Sequence, residues 1–333
     1  MFFGLLIIVH EAGHFVAARL CGVGINEFAV GMGPTVLSHK AKSGTFFRLR
    51  LLPVGGFVSM VGEDEECDAN DPRALHNKTK LQRLFVFSAG ALTNILVGFV
   101  AMFIYVSLQP AYPDTVVYSV ENSVLADYGV MQGDRITQIG TQKINIASDI
   151  TDKIMLSGSQ PTDITVIRGE KEIVFEDVVF NTVVQDGIEM GVFDFKLYGI
   201  RRTFGQIVKQ TFYGCFGTIR LIFTSFAMLI SGKAGVEAMS GPVGTVGMVA
   251  QAVSMGWETL LYFFVVISMN LGVFNPLPVP ALDGGHILFL AIEAVIGRPV
   301  SPKAEGFIHA AGFALLMALV VFVTFKDVTK LFM

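Results

Sequence analysis

Hydrophobic residues occur in long runs in the first and last parts of the chain, and they alternate with polar residues in the middle. Residues 84–108 form the clearest run, because these 25 residues include no charged side chain and about 20 apolar residues suffice for a helix to cross a bilayer. Further apolar runs cover residues 1–20, 259–274 and 306–325. The pattern predicts a multi-pass α-helical membrane protein.

Residues 111–199 have a different pattern, in which short β-prone segments are separated by turn residues. A segment of about 90 residues is within the usual size of a domain that folds alone. We therefore predict a soluble α+β domain inserted between the membrane segments. Its expected strands are residues 116–120, 135–139, 163–168, 172–180 and 187–193.

Two other apolar segments are not clear membrane spans. Residues 46–60 contain two β-prone runs around Pro53, Gly55 and Gly56, which predicts a β-hairpin. The hairpin is apolar enough to dip back toward the bilayer, although an ordinary hairpin on the cytosolic face is the alternative. Residues 204–231 form a helix by pattern, and its basic residues favour a position in the membrane interface over a crossing.

Composition and charge agree with this division. The chain of 333 residues is 52% hydrophobic and 16% charged, with a mean hydropathy of +0.60, which is typical of membrane proteins and not of soluble enzymes. Basic residues cluster at 40–50 and 73–83, so the segment between the first two apolar runs, residues 21–83, is expected to be cytoplasmic. Residues 111–199 carry fourteen acidic and six basic side chains, which argues against nucleic acid binding. Cys21, Cys67 and Cys215 have no metal-site or disulfide spacing.

The first apolar run contains a group of ionisable residues, His10, Glu11 and His14. Positions i and i+4 lie on one face of a helix, so the two imidazoles can bind one metal ion while Glu11 lies beside them. This is the spacing of a zinc hydrolase motif. A histidine pair that only packs or forms hydrogen bonds is the alternative, but ionisable groups at membrane depth are costly without a partner.

A second unusual segment, residues 275–286, ends the third apolar run with three prolines and two glycines. Non-helical backbone at this depth must line a cavity or be covered by protein. Asp283 follows the break and supplies the third ligand that a histidine pair lacks, which leaves a fourth tetrahedral position open. A kinked helix with a chance aspartate is the alternative. Asn94, an amide within residues 84–108, needs a polar partner, which helix packing or substrate binding would provide.

Five stretches together resemble the site-2 protease family of intramembrane zinc metalloproteases, in particular its bacterial, PDZ-containing branch for regulated intramembrane proteolysis. They are residues 10–14, 31–34 (Gly-Met-Gly-Pro), 53–63, 240–244 and 275–284 (Asn-Pro-Leu-Pro through Leu-Asp-Gly). Residues 126–139 are similar to the PDZ segment that contains Gly-Leu-x-x-Gly-Asp. The chain departs from relatives in having nine residues before His10 and one PDZ unit.

The resemblance implies about four transmembrane helices in the inner (cytoplasmic) membrane. The active site would face the cytoplasm, and the hairpin, with Gly55, Gly56 and Val58, would re-enter the membrane and pair with the substrate. It also implies a division into four parts. These are an N-terminal membrane half (1–110), an extracytoplasmic PDZ-like domain (111–199), an interfacial helix with its loop (200–256) and a C-terminal membrane half (257–333).

The implied activity is zinc-dependent peptide cleavage, with Zn2+ on His10, His14 and Asp283 and with Glu11 as the general base. Asn94 or Asn275 would steady the oxyanion or the unwound substrate. The implied substrates are single-span membrane proteins, such as anti-sigma factors or signal-peptide remnants, after another protease has trimmed them outside. Two alternatives remain: a metal or ion transporter, which should show paired repeats, and a catalytically idle scaffold that holds partners through its PDZ-like domain.

Overall fold

The computed structural model describes residues 2–63, 70–185, 187–232, 235 and 239–330. Eight α-helices, two short 3-10 helices (Leu75–Asn77 and Val124–Ala126) and ten strands lie in these ranges. The helices are α1 (Phe2–Leu20), α2 (Lys80–Leu108), α3 (Ala147–Ser157), α4 (Phe204–Ile230), α5 (Pro242–Met255), α6 (Trp257–Phe274), α7 (Asp283–Ile296) and α8 (Pro302–Lys330). The strands are β1 (Ile25–Lys40), β2 (Phe46–Met60), β3 (Ala111–Ser119), β4 (Arg135–Ile139), β5 (Gln142–Lys143), β6 (Thr162–Arg168), β7 (Lys171–Val178), β8 (Thr182–Gln185), β9 (Ile188–Gly191) and β10 (Lys196–Arg201).

Five of the described helices are long and apolar enough to cross a membrane: α1, α2, α4, α6 and α8. The most apolar are α2 and α8, whose mean hydropathies are 2.1 and 2.3. The chain is therefore a membrane protein built from several apolar helices together with β-sheets. It divides into two compact units, Met1–Gly98 with Phe264–Phe325, and Phe99–Phe263 with Lys326–Met333.

In the first unit, α2 and α6 pack closely because small residues lie between them. The Ser268 hydroxyl donates a hydrogen bond of 2.8 Å to the carbonyl oxygen of Asn94. A Cβ added at Gly272 would lie 2.5 Å from a side-chain carbon of Ile95, so only glycine permits this separation. Small residues at helix interfaces of this kind are a general feature of membrane proteins.

The strands of the first unit correct the hairpin predicted for residues 46–60. This segment is a single assigned strand, β2, whose partner is β1. The end of β2 (56–60) pairs with 25–30, and residues 27–30 also have 46–49 as partners. The two halves of the expected hairpin therefore contact the first part of β1 and not each other. Gly55 has a φ of +81° and redirects the chain, as the turn signal indicates. The prediction failed because turn signals do not reveal a partner strand some 30 residues away.

The second unit contains a sheet in the order β10-β3-β4-β6-β7, with β5 paired to β4. Its core consists of fully buried aliphatic side chains, including Val117, Leu125, Ile136, Ile150 and Ile164. All five predicted strands of residues 111–199 overlap observed strands. The sequence interpretation missed β5, β8, β10 and α3.

Helix α4 is attached to this domain through charged side chains. Arg220 of α4 forms an ion pair with the buried Asp149 of α3. Near the start of α4, the Arg202 guanidinium donates a hydrogen bond of 2.7 Å to the Ser107 carbonyl oxygen on α2. Cys21 and Cys215 are free thiols, and Cys67 lies outside the described residues.

Candidate metal centre

Two histidines on α1 point the same ring nitrogen at one location. His10 and His14 are each 7% exposed, and their Nε2 atoms lie 3.2 Å apart. At this point α1 also lies directly against α2. A Cβ added at Gly13 would come within 2.4 Å of Thr93 Oγ1 and 2.6 Å of the Ala89 carbonyl oxygen.

The third group is Asp283, the first residue of α7. Its Oδ2 atom lies 3.1 Å from His10 Nε2 and 3.3 Å from His14 Nε2. The three atoms thus form a nearly equilateral triangle. Zinc bonds of 2.0–2.1 Å in a tetrahedral site place neighbouring ligand atoms about 3.3 Å apart, so the three side chains fit a zinc ion without rearrangement.

The hydrogen bonds of the histidines favour metal binding through Nε2. The Nδ1 atom of His14 lies 2.8 Å from the Val86 carbonyl oxygen on α2. Since a carbonyl accepts and never donates, Nδ1 of His14 carries the proton, and Nε2 presents its lone pair to the Asp283 side. Metal-bound histidines in general donate their other ring N–H to a partner of this kind.

Asn94 provides the corresponding partner for His10. Its side-chain amide lies 3.2 Å from His10 Nδ1, and its Oδ1 atom is buried without a hydrogen-bond partner among the described residues. Turning the amide by 180° gives Oδ1 a partner, because Oδ1 then accepts a hydrogen bond from His10 Nδ1–H. The two orientations of an asparagine amide are distinguished only by such networks. Asn94 thus lies where it orients a histidine.

Gly90 on α2 is a site residue that the sequence interpretation missed. A Cβ added at Gly90 would lie 2.4 Å from His14 Nε2 and 2.7 Å from His10 Nε2. Any larger residue would therefore occupy the space of the imidazoles. A glycine within an apolar helix is an ordinary feature, so only the three-dimensional structure reveals this role.

The triangle of ligand atoms borders a cavity of about 230 Å³. Glu11 and Asn275 line it as well, and the Asn275 amide nitrogen lies 3.2 Å from His10 Nε2. Two of the three potential ligands, His10 and Asp283, therefore share one cavity with the Glu11 carboxylate and the Asn275 amide. Its complete lining is Ile7, His10, Glu11, Asn94, Leu271, Asn275, Ala281, Leu282 and Asp283.

The end of β2 lies against α1 at Glu11. A Cβ added at Gly56 would be 3.5 Å from Glu11 Cγ, and the Val58 backbone N–H faces the Glu11 carboxylate. Gly55 faces Met32 of β1 instead. The Nδ1 atom of His286 lies 3.0 Å from Glu305 Oε1 on α8.

Comparison with known proteins gives the family. The family model of peptidase family M50 matches residues 1–319. A Clostridium perfringens protein named as a candidate zinc metalloprotease is 36% identical over 331 residues, covering 98% of this chain and 96% of the relative. The zinc metalloprotease RasP of Geobacillus kaustophilus is 30% identical over 419 residues, covering 99% and 97%. RasP of Oceanobacillus iheyensis is 27% identical over 430 residues, covering 100% and 98%.

The match extends over nearly the whole chain, including both segments that contribute to the triangle of ligand atoms. This protein therefore belongs to peptidase family M50.

Proposed function

We propose that this protein is an intramembrane zinc endopeptidase that cleaves the transmembrane segments of single-span membrane proteins. One observation carries the proposal: His10 Nε2, His14 Nε2 and Asp283 Oδ2 converge with separations of 3.1–3.3 Å, and Glu11 lies on the same cavity. Family membership and relatives named zinc metalloproteases support it. A transporter or an idle scaffold would not need a carboxylate beside the ligands.

A zinc ion on these three side chains would polarise the scissile carbonyl and lower the pKa of a water molecule to about 7. Glu11 would remove the proton of the attacking water and pass it to the leaving nitrogen. Asn275, which borders the cavity, would donate a hydrogen bond to the developing oxyanion. Asn94 would hold the His10 ring in place through Nδ1.

We also propose that the substrate pairs with the strand formed by residues 56–60. A peptide bond within an α-helix is shielded, so the substrate must become extended and find new hydrogen-bond partners. Among the described residues, one edge of the strand 56–60 pairs with residues 25–30. The Val58 backbone N–H faces the Glu11 carboxylate. The opposite edge therefore faces the general base, where an added strand would place its backbone near the cavity.

For the membrane topology we propose four crossings, by α1, α2, α6 and α8, with α4 lying along the outer surface. Helix α4 begins at Phe204, two residues after Arg202, and Arg220 lies 16 residues further along it, which corresponds to about 24 Å of helix. Arg202 contacts α2 close to its end, and Arg220 contacts Asp149 of α3. If residues 111–199 are extracytoplasmic, both ends of this 24 Å length lie on the outer side, which is incompatible with a crossing.

We also propose the domain organisation expected from the sequence, with 1–110 and 257–333 as membrane halves and 200–256 as the interfacial segment. Residues 111–199 would be an extracytoplasmic PDZ-like domain of an inner-membrane protein, and the active site would face the cytoplasm. This orientation agrees with the basic residues that flank the loop between α1 and α2. We propose that the domain admits substrates only after another protease has removed their bulky outer part.

The experiment that tests this function compares the wild type with Glu11→Gln in detergent or liposomes, using a single-span substrate and its mass-mapped products. The amide keeps the shape of the side chain but cannot take up the proton, so cleavage should fall at least 10²-fold while zinc content stays unchanged. Cleavage by Glu11→Gln at the wild-type rate would refute the protease assignment.

A further inference from the structure

The loop that carries Asp283 has a backbone conformation that requires support. Ala281, two residues before the ligand, has φ of +75°, in the left-handed region that non-glycine residues rarely adopt. Such conformations are strained and persist when neighbouring structure stabilises them. The position of Asp283 therefore depends on the contacts that hold Ala281.

Helix α8 provides these contacts. The Ala281 backbone N–H donates a hydrogen bond of 3.1 Å to Nδ1 of His309. Three residues further along α8, a Cβ added at Gly312 would lie 2.4 Å from Pro280 Cβ. The loop thus rests directly on the surface of α8, and the His309 ring accepts a hydrogen bond from its strained residue.

The His309 ring is itself held between other groups. It stacks on His286, with ring centroids 4.2 Å apart and an angle of 23° between the planes. His286 stacks in turn on Phe87 of α2, at 5.0 Å and 13°, and its Nδ1 atom lies 3.0 Å from Glu305 Oε1. These contacts fix the position at which Nδ1 of His309 meets the loop.

His286, Glu305 and His309 also form a set of possible metal ligands, but the hydrogen bond to Ala281 argues against a second metal site. Nδ1 of His309 accepts a hydrogen bond from the Ala281 backbone N–H, so Nδ1 itself carries no proton. A neutral imidazole with unprotonated Nδ1 carries its proton on Nε2, which then has no lone pair for a metal. His286, Glu305 and His309 therefore support the loop that carries Asp283.

We infer that His309 is a positioning residue for Asp283, acting through the backbone N–H of Ala281. The inference rests on the proposed function, because it assumes that Asp283 binds zinc. His309 lies on α8, whereas Asp283 is the first residue of α7. Residues that hold metal ligands in position contribute about 10–100-fold to metal affinity, and we expect an effect of this size.

The test measures the zinc dissociation constant of the purified full-length protein by competition with a chelator. His309→Leu removes the acceptor and should weaken zinc binding about 10–100-fold. His309→Asn places Oδ1 near the original Nδ1 position and should restore much of the affinity, whereas His309→Gln, whose oxygen lies nearer to the Nε2 position, should not.

A double-mutant cycle separates this role from a general loss of packing. Glycine at position 281 adopts positive φ without strain, so His309→Leu should weaken zinc binding less in an Ala281→Gly background than in the wild type. Equal losses in both backgrounds, or equal affinities of His309→Leu and the wild type, would overturn the inference. A wild-type protein that binds no zinc would instead refute the proposed function itself.

Discussion

Replacing Gly90 by alanine tests the geometry of the metal centre without altering any ligand. The new Cβ would lie 2.4 Å from His14 Nε2 and 2.6 Å from His10 Cε1. A comfortable contact between such atoms is about 3.5 Å, so the rings must withdraw by about 1 Å. Metal sites tolerate changes in ligand distance of only about 0.2 Å.

The magnitude follows from the cost of inserting one methyl group into a filled space. Such overpacking typically costs 1–3 kcal/mol, which corresponds to about a 5–150-fold increase in the zinc dissociation constant. Alanine favours a helix over glycine by about 1 kcal/mol. The zinc-free protein should therefore not become less stable through helix propensity, and the loss should appear in zinc affinity and cleavage.

Gly98→Ala is the matched control, because it makes the same change two turns further along α2. Its Cβ would meet the flexible side chain of Met269, 3.0 Å away at the nearest atom, and no imidazole. Zinc affinity would be measured by chelator competition and stability by thermal unfolding without zinc. If Gly90→Ala binds zinc as tightly as Gly98→Ala, the proposed positions of the two histidines are wrong.

Three further predictions concern other parts of the molecule. Burial raises the pKa of Asp152 on α3 from 3.8 to about 6, an effect that Arg220 reduces and Asp149 increases. The folded state then binds the proton more tightly than the unfolded state, so stability should fall as pH rises from about 4 to 6. Asp152→Asn should remove this pH dependence of the thermal unfolding temperature. The same pH dependence in Asp152→Asn would contradict the raised pKa of Asp152. Val58→Pro removes the backbone N–H that faces Glu11 and should depress cleavage with zinc retained, whereas full activity would argue against strand pairing at this edge. Deleting residues 111–199, if the remainder folds, should allow cleavage of untrimmed substrates, and unchanged discrimination against long outer domains would eliminate the filter.

Local sequence patterns were informative where the relevant spacing is short. His10 and His14 share a helix face because they are four residues apart, and the prolines and glycines of residues 275–286 predicted the break that precedes Asp283. The helical runs and the five strands of residues 111–199 followed from hydrophobic period alone. These features depend on a few neighbouring residues, which the sequence displays directly.

Features that depend on distant neighbours could not be predicted. Gly90 and His309 have no local signal, since their importance comes from rings and backbone that lie many residues away. The partner of residues 56–60 proved to be the strand 25–30, which turn signals within 46–60 do not indicate. Pro242 begins α5, although the glycines and the proline of residues 240–244 are typical of a loop. A proline is compatible with the first turn of a helix, so a proline alone does not show whether a segment forms a helix or a loop.

The central claim is that side chains from the two ends of the chain hold one zinc ion. The most direct measurement is the zinc content per chain of the purified wild type, His14→Ala and Asp283→Ala, with cleavage assayed on the same samples. The account predicts one zinc ion in the wild type and a large loss of both zinc and activity in each variant. A full complement of zinc in Asp283→Ala, or cleavage by a zinc-free wild type, would contradict it.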